Sequence, residues 1–319
     1  MMRVAILDDY QGVALGMADW SSLHPHAQIQ AFADHIDDID ALTRRLHVFD
    51  AIVLMRERTP FPRALFERLP NLRLLITAGM RNASIDLAAA SERHVQVCGT
   101  DMLPHPTAEL TWGLILALAR RIPAEDRATR NGSWQTTLGV GLKGKTLGLL
   151  GLGRLGAQVA KIGTAFGMEA IAWSQNLTAE RATTAGATLV TKAELFARAD
   201  VLSVHLVLGP RTRGVVGAAE LKQMKPTAFL INTSRGPVID EGALVAALAQ
   251  RRLAGAAVDV FEPEPIARNH PLLRLDNTVI TPHLGYVTEE NYRLLYGQAL
   301  EDIRAFLDGK VLRGLKQLA

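Results

Sequence analysis

Between Leu147 and Gly156 the chain reads LGLLGLGRLG, and no other stretch restricts its fold so tightly. A short apolar run ends in Gly151, Gly153 and Gly156, and an amphipathic segment, AQVAKIGTAFG, follows at once. The order is strand, tight turn, helix. Glycines at this spacing suit a pyrophosphate resting on backbone N–H groups. Gly151 permits the sharp turn, Gly153 has no Cβ to hold the phosphate away, and Gly156 lets helix and strand pack closely. Gly151, Gly153, Arg154, Leu155 and Gly156 are therefore the candidate cofactor contacts. In a chain with 26 glycines the triplet alone carries little. Its setting carries more, because a second apolar strand, 169–173, falls where a dinucleotide fold needs one.

The rest of the chain keeps the same βα rhythm. In the first third, residues 4–7, 29–32, 51–54, 74–77 and 95–97 read as short buried strands, with helical patterns at 38–45 and 62–68 between them. That predicts a small parallel sheet of the flavodoxin-like sort. Three loops at its strand ends, 55–60, 78–86 and 100–106, are placed to face a ligand. Beyond the glycine loop, strands are expected at 170–173, 188–190, 201–205, 228–232, 255–260 and 278–281, with helices at 192–198, 218–224 and 241–250. Between the two regions, TAELTWGLILALARR (107–121) is apolar almost all round, so it must be buried between domains or against a second subunit. With 319 residues, two domains are the natural division.

Charge and cysteine content narrow the function. The formal net charge is only +3, and no basic run with interleaved aromatics appears, so nucleic acid is not an expected partner. Cys98 is the single cysteine, which excludes an internal disulfide and a cysteine metal cluster. A reducing, cytoplasmic setting is expected. MMRVAILDDY enters a strand-like run directly and does not read as a signal peptide. The apolar run 110–119 is about half of what a membrane span requires, so no membrane partner is expected.

Three residues past strand ends in the last third are the candidate catalytic groups: Arg235 in INTSRGPVID, Glu264 in AAVDVFEPEP and His283 in VITPHLG. Singly, each reads as a solvated arginine, a surface carboxylate and a structural histidine. Together, behind a nucleotide loop, they read as a site. Ser174 stands where an acidic residue would grip the adenosine ribose, and it cannot repel a 2′-phosphate, so the cofactor is NAD or NADP. Arg56, Arg58 and Arg81 in the first-third loops offer forked donors to a carboxylate or phosphate.

The phrases LKGKTLGLLGLGRLG, MKPTAFLINTSRGPVIDEGALVAAL, LAGAAVDVFEPEP and TPHLG resemble the D-isomer-specific 2-hydroxyacid dehydrogenase family, which includes phosphoglycerate dehydrogenases and glyoxylate/hydroxypyruvate reductases. The resemblance runs over essentially the whole chain and implies hydride transfer between NAD(P) and a small 2-keto or 2-hydroxy acid. It implies His283 as general acid/base, Glu264 as its partner and Arg235 as holder of the substrate carboxylate. Asp259 would meet the nicotinamide amide, His205 and Thr233 would line the cofactor, and the backbone from Gly79 to Asn82, including Met80 and Arg81, would receive the carboxylate.

Three departures stand out: AGMRN lacks the usual second glycine, Val207 replaces a proline, and Tyr286 stands where the family commonly has glycine, beside the general acid/base. The implied architecture is α/β, with two Rossmann-like or flavodoxin-like domains, parallel sheets and a cleft between them. Residues 1–101 with 283–319, including a C-terminal helix 289–307, would form the substrate domain, and 102–282 the dinucleotide domain. Helix 107–121 would be a homodimer contact. The family's corepressor relatives give an alternative, a nucleotide-sensing interaction protein without turnover, which the intact trio disfavours. Glu264 disfavours formate dehydrogenase chemistry.

Overall fold

Short apolar runs alternating with helical stretches become two all-parallel sheets in the computed structural model, which describes residues 1–315. The first sheet contains β1 (Met2–Ile6), β2 (Ala27–Ala31), β3 (Ala51–Leu54), β4 (Leu74–Thr77) and β5 (Gln96–Gly99). Its order is β2-β1-β3-β4-β5, the flavodoxin order, with the reversal at β1 and β3. β3 and β4 are buried at every position, as unbroken apolar runs between helix layers must be. The layers are α1 (Ile39–Leu46), α2 (Arg63–Glu67) and α3 (Leu87–Glu92). Asp38 and Asp86 cap α1 and α3 by accepting from the N–H of Ala41 and Ala89.

The second unit opens with α4 (Pro106–Ala119) and α5 (Ile122–Arg130). The helix expected over 107–121 ends at Ala119 with Arg120 as its C-cap, and Arg121 takes a left-handed φ of 51°. Pro123 then sits in the first turn of the next helix. The sheet follows: β6 (Thr146–Leu150), α6 (Arg154–Ala165), β7 (Glu169–Trp173), α7 (Ala179–Thr184), β8 (Thr188–Leu189), α8 (Lys192–Arg198) and β9 (Val201–Val204). It continues through α9 (Ala218–Gln223), β10 (Phe229–Asn232), α10 (Glu241–Ala249), β11 (Gly255–Val258) and β12 (Thr278–Ile280). The order β12-β11-β10-β9-β6-β7-β8 reverses at β6 and β9, the switch point of a dinucleotide fold. α4 lies against this sheet, with Trp112, Leu114, Ile115 and Leu118 buried, so most of its apolar surface is covered within its own unit.

The chain then returns to the first unit through α11 (Glu289–Leu307), capped by Thr288 and burying Tyr292, Leu295, Tyr296 and Ile303. The two compact units are Met1–Leu103 with the chain from Val287 on, and Pro104–Tyr286. Residues 102 and 103, expected in the dinucleotide domain, stay with the first unit, where Asp101 N–H donates to Gln298 and Leu103 N–H to Asn291. Residues 283–286, expected in the substrate domain, stay with the second, tied to Asp259 by the N–H groups of His283, Leu284 and Gly285. Positions 316–319 of the expected substrate domain lie outside the described residues.

Candidate active site

The glycine turn joins β6 to α6, with Gly153 at the N-cap. Gly151 has a φ of 101°, and a Cβ there would lie 2.8 Å from the His205 carbonyl oxygen. A Cβ on Gly156 would lie 2.3 Å from the Gly151 carbonyl oxygen, whereas nothing lies within 4 Å of one on Gly153. The outer glycines are thus closed in by protein and the middle one opens onto space. A backbone that must receive a phosphate has this pattern. Arg154 is exposed and Leu155 half-buried at the helix start.

Ser174, half-buried past β7, lines a shallow hollow with Gln175, Thr191 and Lys192, whose Nζ is 2.8 Å from Glu220. Glu194 also lines the hollow, but its carboxylate accepts from Thr191, and no acid stands at position 174 itself, so the turn fits either nicotinamide dinucleotide. His205 Nε2 lies 2.9 Å from Ser203 Oγ, and desolvation pushes this half-buried imidazole down to about 4, keeping it neutral. Thr233 Oγ1 is 2.9 Å from Thr111 Oγ1, which links the end of β10 to α4.

Glu264 and His283 meet directly: Nδ1 of the imidazole is 2.6 Å from Oε2 of the carboxylate. The other carboxylate oxygen accepts from Phe261 N–H at 2.8 Å, so the glutamate is held from both sides. A carboxylate at Nδ1 fixes that nitrogen as the donor and leaves Nε2 for the substrate. His283 has a left-handed φ of 54°, an unusual backbone for a non-glycine residue.

Asp259 holds that turn. Its Oδ1 accepts from Thr281 Oγ1 (2.6 Å) and Leu284 N–H (2.7 Å), its Oδ2 from Gly285 N–H (2.9 Å), and its carbonyl from His283 N–H (2.8 Å). Burial pushes the Asp259 carboxyl above the usual range, against the pull of these donors and of the imidazole. Arg235 is half-buried, with Nη1 on the Ser234 carbonyl at 2.8 Å. Its loop packs on the backbone of Phe261, whose N–H donates to Glu264, since a Cβ on Gly236 would lie 2.6 Å from the Phe261 carbonyl carbon. Tyr286, 6 % exposed, sets its ring edge-on to His283 at 5.5 Å.

Arg56, Met80 and Arg81 belong to the first unit. Arg56 is half-buried at a φ of 58° and donates from Nη1 to the Ala78 carbonyl at 3.0 Å. It lies over Gly79, where a Cβ would come within 2.0 Å of that nitrogen. Met80 and Arg81 are exposed. Sequence reading missed the groups beneath these loops: buried Asp8 with His35 and Thr59, and the side chain of Asn82, expected only as loop backbone, which donates to the Arg56 carbonyl at 2.7 Å. The one signal for them was the acidic pair in LDDY at the end of the first apolar run.

Comparison with known proteins places these features in a family setting. The family model described as D-isomer specific 2-hydroxyacid dehydrogenase, NAD binding domain, matches residues 112–285. The chain is 42 % identical over 257 residues to a glyoxylate reductase of Aeropyrum pernix, covering 77 % of each protein. It is 39 % identical over 267 residues to a D-3-phosphoglycerate dehydrogenase of Methanocaldococcus jannaschii, covering 82 % of this chain but 50 % of that one. Among solved structures, a phosphoglycerate oxidoreductase from Vibrio cholerae matches with a TM-score of 0.92 at 39 % identity, over 97 % of this chain and all of that one.

Proposed function

We propose that this chain, which belongs to the D-isomer-specific 2-hydroxyacid dehydrogenase family, works mainly as a reductase of small 2-keto acids, with glyoxylate, hydroxypyruvate and the 3-phosphoglycerate couple as candidate substrates. The observation that carries the reading is the His283–Glu264 pair at 2.6 Å, in the same unit as the open glycine turn. When NADH or NADPH is bound, it supplies the hydride. The residues that would hold it are the turn 151–156, Ser174, His205 and Thr233, with Asp259 at the nicotinamide end.

The chain's own groups handle charge and proton. Arg235 binds the substrate carboxylate and polarises the keto oxygen, where negative charge develops. His283 gives that oxygen its proton from Nε2, and Glu264 keeps Nδ1–H in place and steadies the imidazolium. In the reverse direction His283 takes the proton back. The backbone at Gly79–Asn82, with Met80 and Arg81, receives the substrate carboxylate. Tyr286 walls the space beside His283 and favours short substrates.

Two broader assignments belong to the same reading. The lone cysteine, buried Cys98, suits a reducing compartment, and the cytoplasm is the setting we assign. Exposed apolar side chains on the connector past α5, Trp134 at 79 % and Leu138 at 92 %, support a homodimer that uses this connector with the outer side of α4.

The test is initial-rate oxidation of NADH and of NADPH against glyoxylate, hydroxypyruvate, pyruvate and 3-phosphohydroxypyruvate, with wild type beside His283→Ala. Turnover is expected in the wild type, falling by about 10²–10⁴ in the variant, the usual worth of a positioned general acid. Cofactor binding by protein-fluorescence quenching should barely change. Wild-type protein that binds reduced cofactor yet consumes none with any acid would sink the reductase reading and favour the nucleotide-sensing alternative.

A further inference from the structure

Beneath the substrate-side loops of the first unit sits a cluster of titratable groups for which the proton chemistry has no use. Asp8, two residues past β1, is 1 % exposed and holds a left-handed φ of 58°. Its Oδ1 is 2.8 Å from His35 Nδ1, its Oδ2 accepts from Thr59 Oγ1 at 2.7 Å, and its carbonyl accepts from Arg58 Nη1 at 2.9 Å. The other nitrogen of His35 lies 2.8 Å from Oδ1 of the exposed Asp37.

The grip continues outward. Arg56, also at a φ of 58°, receives Asn82 Nδ2 on its carbonyl and donates to Ala78. Two non-glycine residues therefore hold left-handed backbone at the ends of β1 and β3, where the strand order reverses. Such backbone is costly for a residue other than glycine and persists only where its surroundings enforce it. The carboxyl ends of strands beside a reversal are where open α/β sheets bind their ligands.

We propose that His35 is a positioning residue for the substrate: paired with Asp8, it fixes the turn 56–59 and, through Asn82 and Ala78, the turn 78–82 that receives the keto acid's carboxylate. This rests on the reductase reading above. A buried carboxylate needs a partner, and an imidazolium between Asp8 and Asp37 supplies one.

The other charged groups around the cluster are already engaged. Asp9 accepts from the N–H groups of Val13 and Ala14, Asp34 is held by Arg45, and Arg58 lies over the Tyr10 ring at 4.5 Å. The hydrogen bond to Asp8 raises the His35 pKa above its ordinary value, burial working against it. The imidazolium is therefore present below that raised value and lost as pH rises through it. Substrate binding weakens in the same direction.

The experiment is the pH dependence of KM and kcat for glyoxylate at saturating reduced cofactor, in wild type, His35→Ala, His35→Asn and Asp37→Asn. Wild-type KM should rise with pH. His35→Ala should raise KM about tenfold with kcat within about twofold, the split expected when binding alone is lost. His35→Asn keeps a neutral donor toward Asp8, so it should restore most of the low KM while flattening its pH dependence.

Asp37→Asn changes only an exposed partner and should move the rise in KM to lower pH. If His35→Ala does not fold, this variant decides: a profile superimposed on wild type overturns the proposal. KM and kcat falling together in His35→Ala would overturn it too. Wild type without turnover overturns the reductase reading and this inference with it, whereas wild-type turnover with unaltered profiles in the variants overturns this inference alone.

Discussion

Asp259 shows how one side chain can carry more than the contact a motif assigns to it. A carboxylate has about four acceptor positions. Thr281 Oγ1 and the N–H groups of Leu284 and Gly285 take three of them. The larger share of its work is thus to hold the turn in which His283 keeps a left-handed backbone. Asn at this position would aim an amide donor at backbone donors. Asp259→Asn should lower kcat/KM by about 10²-fold, in the range seen when a buried charge-assisted network is broken, with cofactor affinity reduced far less; stopped-flow binding beside steady-state rates separates the two. The acid side of the wild-type profile has a defined sign as well. The ionised form is the one that accepts from all three donors, and burial raises its pKa. Activity should therefore begin to fall, as pH is lowered, at a higher pH than an ordinary aspartate near 3.9 would allow.

The glycine turn is the element that sequence alone described best, because its constraint is local. The spacing of Gly151, Gly153 and Gly156 already states which backbone atoms must approach. Gly156→Ala would place a Cβ 2.3 Å from the Gly151 carbonyl, which cannot move without shifting the turn. Overpacking of this kind costs about 1–3 kcal/mol, so the melting temperature should drop by about 3–10 °C for a unit of this size, and the stabilisation that NADH gives wild type should largely vanish; paired thermal scans with and without cofactor read both. Other elements were less legible for physical reasons. Helix α5, IPAEDRATR, buries no residue and so leaves no apolar stripe to read. The break before it depends on Arg121 taking a φ of 51°, a conformation that its residue type does not announce. The strands of both sheets were legible because each is a short apolar run bounded by polar turns. The Asp8–His35 contact spans 27 positions, and no local pattern predicts which histidine a buried aspartate will find.

At the scale of the whole molecule, the open question from sequence was what covers an all-round apolar helix. Much of the answer is internal: α4 buries Trp112, Leu114, Ile115 and Leu118 within its own unit. What remains outward on the helix is a narrow stripe, Glu109 and Gly113 exposed with Leu110 and Leu116 half-buried. The connector beyond α5 adds to it. Val140 N–H donates to the Ala119 carbonyl at the end of α4, and Thr136 and Thr137 bind Glu125 of α5. The connector is thus pinned to these two helices while Trp134 and Leu138 point into solvent. Large apolar side chains exposed on a connector held in this way favour the symmetric pair proposed above, in which each connector would cover the other's helix. Light scattering should therefore report twice the 34.6 kDa chain mass. Leu138→Asp, which buries nothing in the single chain, should shift the mass toward one chain at micromolar concentration while leaving the melting of each unit's sheet intact by circular dichroism. A wild-type mass of one chain across that concentration range would refute the pairing. An unshifted dimer in Leu138→Asp would move the contact away from the connector.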